Sequence, residues 1–302
     1  MATPLSRTKE ALASLLFPWR FMLISLTFLP STLLTLLRTR DFHSLFSWPL
    51  LQAAWFGRFW SWAGPQVRLS AEELVVPLLE GRVVAGKVLP STNLSSARVP
   101  GVGGTVLEIG PGSGNWVSIF SDRYLSPSST STESGTTPGT RAKVTRVYGV
   151  EPNPAQHPQL RAKIAEAGLG DVYEIVPVGI EDLASSGRVA PESVDCIVSV
   201  LCLCSIPEPR KNIAELYGYL KPGGRWFVYE HVKRPLDEGW VMSLYQGFVN
   251  LLWPHLIGGC DLRRDTAQWL KKAGPWSEVD LVHPENTPWY HTVPHTIGIL
   301  TK

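Results

Sequence analysis

The sequence predicts an α/β fold: a mostly parallel seven-stranded sheet wrapped by helices, ending in an antiparallel hairpin and preceded by a hydrophobic helical anchor. Three observations predict it. Between residues 105 and 252, apolar runs alternate with helical patterns, which is typical of a parallel sheet with crossover helices. Two late strands follow each other without a crossover helix, so they should pair antiparallel at one sheet edge. The N-terminal region is instead apolar and rich in tryptophan.

Length, charge and cysteine content narrow the class of protein. The 302 residues suffice for one large domain and an appendage. A net charge of +2 provides no global field for binding nucleic acid, so no nucleic-acid partner is expected. The four cysteines lie late in the chain, three of them in or just after an apolar run, which is typical of buried reduced thiols. Cys202-x-Cys204 lacks a second ligand pair at metal-binding spacing, so no metal site is predicted.

Residues 1–64 are predicted to be a membrane anchor. Phe21 to Leu37 contains no charge over 17 residues, at the low end for a spanning helix, and Pro30 should kink or break it. Aromatic side chains crowd residues 42–62, a composition typical of a membrane interface. The anchor is either one short span or a proline-bent hairpin in one leaflet. The alternative is that residues 11–62 are core helices of a soluble domain.

Residues 65–104 are predicted to be a helix followed by a linker. Ser70 and Glu73 have the spacing of a capping box, which predicts a helix start, and Gly81 or Gly86 should end the helix. Residues 90–104 have the proline, glycine and serine content of a linker.

Residues 105–302 form the predicted α/β domain. Strands are expected at 105–109, 144–150, 172–177, 194–200, 225–231, 277–282 and 293–300. Helices are expected near 114–124, 154–167, 181–186, 208–220, 239–252 and 265–273. Residues 125–141 are polar and of low complexity, which predicts a disordered insertion without a chemical role.

A glycine-rich turn follows the first predicted strand of this domain. Gly110, Gly112 and Gly114 let the backbone bend sharply and let a ligand approach it closely. A helix N-terminus behind such a turn suits the polar end of a nucleotide-like ligand. Alone, this turn is compatible with several nucleotides.

The other strand ends add candidate ligand contacts, because ligands of open parallel sheets bind at the carboxyl ends of the strands. Glu151 follows the second strand, where a carboxylate can accept both hydroxyl hydrogens of a ribose; a favourable charge at a helix N-terminus is the alternative. Ile180 and Glu181 follow the third strand and could contact an adenine. Leu201 to Ser205 follow the fourth strand, and Glu230 with His231 end the fifth.

The ordered motifs resemble those of the class I S-adenosylmethionine-dependent methyltransferases. In chain order these are VLEIGPGSG, YGVEPN, GIEDL, VDCIVSVLCLCSI and LKPGGRWFVYEH. A dinucleotide dehydrogenase would share only the first glycine turn. The resemblance covers Thr105 to Lys302 and implies a Rossmann-like fold with S-adenosylmethionine as cofactor. It also implies the cofactor contacts: Glu108, Gly110, Gly112 and Gly114 for the methionine part, Glu151 for the ribose, Ile180 and Glu181 for the adenine, and Leu201 beside the sulfonium.

Four further segments are similar to the membrane-associated alkyl-thiol S-methyltransferases of the endoplasmic reticulum and lipid droplets, which also begin with a hydrophobic anchor. These are residues 209–211, 230–232, 255–260 and 294–298. The similarity implies a small lipophilic acceptor, with a thiol favoured, and a membrane-associated protein. The reduced cysteines predict that its catalytic domain faces the cytosol. The alternatives are an O- or N-methyltransferase of a lipid or secondary metabolite, or a non-catalytic cofactor-binding membrane protein. The longer aromatic N-terminus and the 125–141 insertion depart from that family.

Three histidines are candidate bases. Methyl transfer from a sulfonium is an in-line displacement that mainly requires alignment of the reactants. A thiol or phenol acceptor also benefits from losing its proton, and histidine titrates in the useful range. His255 or His231 comes first and His295 next, with a structural hydrogen-bonded role as the alternative for each. The apolar, aromatic residues 239–259 are expected to build the acceptor pocket, reached from the bilayer.

Overall fold

The computed structural model describes residues 4–90, 99–121, 143–234 and 239–302. The predicted insertion at 125–141 and part of the predicted linker lie outside the described residues. The predicted fold class is confirmed, since a seven-stranded mixed sheet forms the centre of the molecule and long apolar helices precede it.

Nine strands are described; the seven of the large sheet match the predicted strands, although the fifth of them begins at Leu220 rather than at residue 225, and the first two strands of the chain were not predicted. β1 (Val83–Val84) and β2 (Lys87–Val88) form a separate small hairpin. The large sheet contains β3 (Gly104–Ile109), β4 (Val144–Val150), β5 (Tyr173–Val176), β6 (Val194–Val200), β7 (Leu220–His231), β8 (Glu278–Val282) and β9 (His295–Thr301).

The strand order in the large sheet is β5-β4-β3-β6-β7-β9-β8. β3 to β7 pair in parallel, whereas β9 pairs antiparallel with both β7 and β8, which confirms the predicted late hairpin. The chain runs from β3 outward to β5 and then returns to place β6 on the other side of β3. The order therefore reverses between β3 and β6, where ligands of open α/β sheets bind.

Three helices form the N-terminal region: α1 (Pro4–Arg38), α2 (Phe42–Phe46) and α3 (Trp48–Leu79). The predicted break at Pro30 is wrong, because α1 continues through both Pro18 and Pro30, whereas a kink there stays a prediction. Met22 and Leu36 are among the buried residues of α1. This packing offsets the cost of about 3 kcal/mol for an interior proline.

α3 is longer than expected and crosses the predicted boundary between residues 64 and 65. The predicted helix start at Ser70 is wrong, since its hydroxyl donates to the Val67 carbonyl within the same helix. The apolar positions on both sides of Ser70 keep α3 continuous against the sheet. The helix ends at Leu79, and Gly81 follows with φ +73°, so the predicted glycine stop is correct.

The remaining helices pack around the sheet. They are α4 (His157–Glu166), α5 (Leu183–Ser186), α6 (Pro209–Tyr217), α7 (Trp240–Val249), α8 (Trp253–Leu256) and α9 (Thr266–Lys271). The helix predicted near 114–124 is only a 3₁₀ turn, Val117–Phe120. Val117, Ile119 and Phe120 are all buried, so this short segment is enclosed on several sides rather than presenting one apolar stripe.

Candidate functional site

Two adjoining cavities lie at the carboxyl edge of the sheet. The loop cavity, about 280 Å³, is bounded by the glycine turn after β3, the ends of β4 and β6, and α3. The apolar cavity, about 540 Å³, is bounded by α1, α3, α8 and the ends of β7 and β9. Five residues line both cavities and form their common wall: Phe56, Trp60, Val67, Leu201 and Ser205.

The glycine turn has the left-handed backbone that its sequence predicts. Gly110, Gly112 and Gly114 have φ of +63°, +57° and +83°. A Cβ atom on Gly112 would lie 3.2 Å from Trp60 Nε1 at the cavity wall, and one on Gly110 would lie 2.7 Å from the Cys202 Cβ. Gly114 instead faces α4, where a Cβ would lie 3.0 Å from the Lys163 Cβ. Two of the predicted glycines thus border the loop cavity, and the third permits close packing behind it.

Glu151 is placed as the sequence predicts. Its side chain is 6% exposed and borders the loop cavity at the end of β4. One carboxylate oxygen accepts from the Gly112 N–H and the other from the Asn153 N–H, each at 2.9 Å. Burial raises the pKa of Glu151, while these two hydrogen bonds act in the opposite direction. Each oxygen keeps lone-pair capacity for a further donor, as a ribose diol would require.

Glu108 lies beneath the loop cavity and does not line it. It is 3% exposed and accepts a hydrogen bond from the Tyr173 hydroxyl. The absence of a side chain at Gly149 makes room for that hydroxyl, since a Cβ there would overlap it. Burial raises the pKa of Glu108 to about 7. The predicted contact of Glu108 with the methionine part of a cofactor stays a prediction.

The third predicted strand end also reaches the loop cavity. Ile180 is buried at its wall, and Glu181 lies beside it with an exposed side chain. Pro152 and Val150 complete this side of the cavity. A mostly apolar slot with polar atoms at its rim suits the flat face of an adenine.

α3 closes the loop cavity from above, which the sequence did not indicate. Arg68 donates to the Asn115 carbonyl at 2.5 Å and to the Ser118 hydroxyl at 3.1 Å, and its guanidinium lies over the Trp116 ring. The Asn153 amide donates to the Ala53 carbonyl at 2.9 Å. The helix is therefore tied to the loops after both β3 and β4.

Leu201 stands between the two cavities in a strained conformation. Its φ is +56°, which is costly for a residue with a branched side chain. The turn is held by Glu230, whose carboxylate accepts from the N–H groups of Cys202 and Leu203 at 3.2 and 3.1 Å. Leu201 is thus fixed at the junction where the sequence predicts the sulfonium.

His231 and His295 line the apolar cavity, as two of the three predicted bases should. Their ring centroids are 4.7 Å apart, and the His295 ring stacks on Tyr229 at 4.7 Å. Burial lowers the pKa of His295 well below its ordinary value, so this imidazole is neutral at pH 7. His231 lies beside Cys260, with 3.5 Å between Nδ1 and Sγ.

His255 is not brought to either cavity. Its side chain is exposed on α8, and its ring centroid lies 6.4 Å from that of Trp48. The spacing of residues 255–260 could not distinguish the outer face of this short helix from its inner face. Of the expected acceptor-pocket segment 239–259, the cavity lining includes Trp253 and Ile257, whereas several α7 side chains point outward.

Several cavity residues were missed by the sequence reasoning. His291 lines the apolar cavity, and its Nδ1 is buried without a hydrogen-bond partner among the described residues. Phe17, Phe56 and Trp60 come from the predicted anchor and yet form cavity walls. Their aromatic character was visible, but nothing in the local pattern indicated that they fold back onto the sheet.

Residues 87–274 match the family described as a methyltransferase domain. The chain belongs to this family. Its predicted cofactor, S-adenosylmethionine, is confirmed at the level of the family, and the residues of the loop cavity fit that ligand. A buried carboxylate with unused acceptor capacity, a glycine turn without side chains and an apolar slot correspond to its ribose, its methionine part and its adenine.

The chain is also similar to named methyltransferases. It is 34% identical over 158 residues to thiol S-methyltransferase TMT1B of Rattus norvegicus and 30% identical over 158 residues to thiol S-methyltransferase TMT1A of Homo sapiens. Each alignment covers 52% of this chain and 62% of the relative, so the match spans less than two thirds of those proteins. The solved CurJ carbon methyltransferase has a TM-score of 0.53 and 16% identity, over 100% of this chain and 72% of that one, and it shows the fold alone.

Proposed function

We propose that this protein transfers a methyl group from S-adenosylmethionine to the sulfur of a small lipophilic thiol. The observation that carries the proposal is the contact between the two cavities: one has polar contacts for a nucleoside, the other is largely apolar, and they share the wall at Leu201. The similarity to thiol S-methyltransferases of rat and human supports a sulfur acceptor.

The loop cavity holds the methyl donor in this proposal. Glu151 binds the ribose hydroxyls, the turn at Gly110 and Gly112 borders the methionine part, and Ile180 with Glu181 borders the adenine. When bound, the donor supplies a methyl group already activated as a sulfonium. The strained turn at Leu201 and the ring of Trp60 then limit where the methyl group can point, so that it faces the apolar cavity.

The apolar cavity orients the acceptor. Its aromatic walls bind the lipophilic part of the thiol beside the common wall. Alignment of this kind is worth several kcal/mol of barrier lowering in a displacement reaction. His231 and His295 both line this cavity and would lie beside the acceptor.

A labelled-methyl transfer assay across alkyl thiols, phenols, amines and carboxylates tests this function, with the full chain in detergent micelles. We expect the label in a thioether product only. Glu151→Ala should weaken cofactor binding at least tenfold, because each hydrogen bond to a charged group is worth about 1.5–3 kcal/mol. Asp171→Ala, an exposed carboxylate outside both cavities, is the control.

Label in an oxygen or nitrogen product, with none in a thioether, would contradict the sulfur acceptor. Unchanged cofactor affinity of Glu151→Ala would contradict the placement of the ribose. Cofactor binding without transfer to any acceptor would favour the non-catalytic alternative.

We further propose that the protein is bound to a membrane of the endoplasmic reticulum or of lipid droplets, with the sheet in the cytosol. By length and composition, Thr8–Arg38 is the one helix in the described parts of the chain that could cross a membrane. α1 is nevertheless joined to the domain, since Ser25 Oγ donates to the Leu256 carbonyl at 2.7 Å and Trp19 Nε1 to the Tyr245 hydroxyl at 2.7 Å. These contacts favour a helix that lies along the membrane surface.

The membrane contact extends to α7. Large apolar side chains are exposed on both helices: Leu12, Leu16, Leu23 and Leu26 of α1, and Trp240, Val241, Leu244 and Phe248 of α7. The rings of Trp19 and Phe248 are 5.5 Å apart, so the two exposed sets adjoin. Phe17 lines the apolar cavity while 46% exposed, which brings the cavity to this same apolar surface.

Flotation with phosphatidylcholine vesicles tests the membrane contact. Val241→Glu and Leu244→Glu together should lower the floated fraction, because each places a charge in the apolar interface. Val279→Glu on the β8 edge, also an exposed apolar position, is the matched control and should float like the unchanged chain. Equal flotation of all three proteins would contradict a contact through α7.

A further inference from the structure

Three soft donor side chains meet in the wall of the apolar cavity. The Cys204 thiol, the Cys260 thiol and one ring nitrogen of His231 lie within 4.8 Å of one another. All three residues line the cavity. Both cysteines are nearly fully buried, whereas His231 is half-buried. The cluster is distinct from the Cys202-x-Cys204 pair, because the Cys202 thiol turns away toward the Glu230 carboxylate.

The backbone holds these three side chains together from separate parts of the chain. Cys204 follows β6, His231 ends β7, and Cys260 follows two glycines whose φ values are +54° and +79°. The Asp261 N–H donates to the Cys204 carbonyl at 2.8 Å, which ties the two cysteine-bearing loops to each other. The donor set is therefore built by the fold.

We propose that Cys204, His231 and Cys260 bind a zinc ion whose fourth position is open to the acceptor thiol. Zinc bonds to sulfur at about 2.3 Å and to nitrogen at about 2.0–2.1 Å in tetrahedral sites, which places such ligand atoms about 3.5 Å apart. The Cys260 Sγ to His231 Nδ1 distance is 3.5 Å. Two cysteines and one histidine with an open fourth position are a donor set used by catalytic zinc sites.

This inference rests on the proposed function and specifies how the acceptor is activated. The acceptor sulfur binds zinc and loses its proton to water, which leaves a zinc-bound thiolate. One sulfur electron pair then forms the bond to the methyl carbon while the bond from that carbon to the sulfonium breaks, and its electrons stay on the departing sulfur. The products are a thioether, which is a weak zinc ligand, and S-adenosylhomocysteine. His231 is thus a metal ligand and not a base.

The metal content of the full chain tests the site directly. We expect about one zinc per chain after purification in detergent under reducing conditions. Cys204→Ser and Cys260→Ser should each lose the metal. Cys196→Ser is the matched control, because Cys196 is an equally buried thiol within β6 that bonds to the Gly103 carbonyl. Retained S-adenosylmethionine binding shows that each variant is folded.

Two further measurements test the open position. Cobalt substituted for zinc should give thiolate charge-transfer absorption that changes when an alkyl thiol is added. Removal of the metal should lower the methyl-transfer rate about tenfold to thirtyfold at pH 7, since a free thiol of pKa about 8.5 is only a few per cent thiolate there. The loss should shrink at pH 9, where the free thiol ionises unaided.

The outcomes separate the site from the function. Absence of bound zinc or cobalt, or a Cys204–Cys260 disulfide in the active protein, overturns the site, as does an unchanged rate in the metal-free protein. In each case thiol methylation itself would still stand. A chain that binds zinc and alters the cobalt spectrum with thiol, but methylates none, would keep the site and refute the proposed function.

Discussion

The buried carboxyl group of Glu108 should make the stability of this protein depend on pH in a defined direction. Burial raises its pKa from 4.5 to about 7, so the folded state binds a proton more tightly than the unfolded state does. For a carboxyl group with a raised pKa, stability is highest below the unfolded value and falls as pH rises toward the folded value. Glu108→Gln keeps the shape of the side chain and removes the ionisation.

The size of the effect follows from the two pKa values. Each unit of difference corresponds to about 1.4 kcal/mol, and most of the interval between 4.5 and 7 lies between pH 5 and pH 8. Relative to the unchanged chain, Glu108→Gln should therefore gain about 2.5 kcal/mol in unfolding free energy from pH 5 to pH 8. Subtracting the two proteins cancels the contributions of other titrating groups.

Chemical denaturation at pH 5, 6.5 and 8, in one detergent, measures this difference. Glu166→Gln is an informative control, because the hydrogen bond from Lys163 lowers the pKa of the exposed Glu166 carboxylate. That carboxylate is already ionised from pH 5 upward, so the difference between Glu166→Gln and the unchanged chain should stay nearly flat from pH 5 to pH 8. A difference between the unchanged chain and Glu108→Gln that stays flat with pH, or grows toward acid, would refute the assignment of Glu108 as a buried, protonated group.

Three other changes test the site. Gly112→Ala should abolish cofactor binding, measured by calorimetry, while the circular dichroism spectrum is retained. Gly168→Ala is the control: its φ of +69° imposes a similar backbone strain of about 1–2 kcal/mol, but its surroundings are open, so this variant should bind the cofactor normally. Arg68→Met should lose about 1–3 kcal/mol in thermal unfolding and weaken cofactor binding, because two hydrogen bonds between α3 and the glycine loop disappear; equal affinity would show that α3 does not shape the cavity. His255→Asn should leave the methyl-transfer rate unchanged, whereas His295→Asn should lower it, and the reverse pattern would restore His255 as a base.

The parallel sheet could be predicted because its information is local. Each of its strands is a short apolar run bounded by turn residues, and the chain alternates regularly between such runs and helical patterns. The position of Glu151 could be predicted for the same reason, because a residue directly after the second strand of such a sheet lies at the carboxyl edge, where ligands bind. Pro30 misled the prediction because tertiary packing of α1 outweighs the local cost of a proline.

The features that could not be predicted depend on contacts between distant residues. The Tyr173 hydroxyl that binds Glu108 is 65 residues away in sequence, and Trp60 reaches the glycine turn from a segment whose composition indicated a lipid environment. Likewise, Cys204 had no visible ligand partner within its own motif. Its neighbours Cys260 and His231 are joined to it only by the fold.

α3 has a consequence for how the protein can be dissected. Its aromatic residues close both cavities, and its polar residues fasten the loops beneath them. A chain shortened to begin at residue 65 would lose Phe56 and Trp60 and would leave both binding sites open to water. The N-terminal region would then be needed for substrate binding as well as for membrane binding. It could not be replaced by an unrelated membrane anchor, as is possible in enzymes whose anchor takes no part in the binding sites.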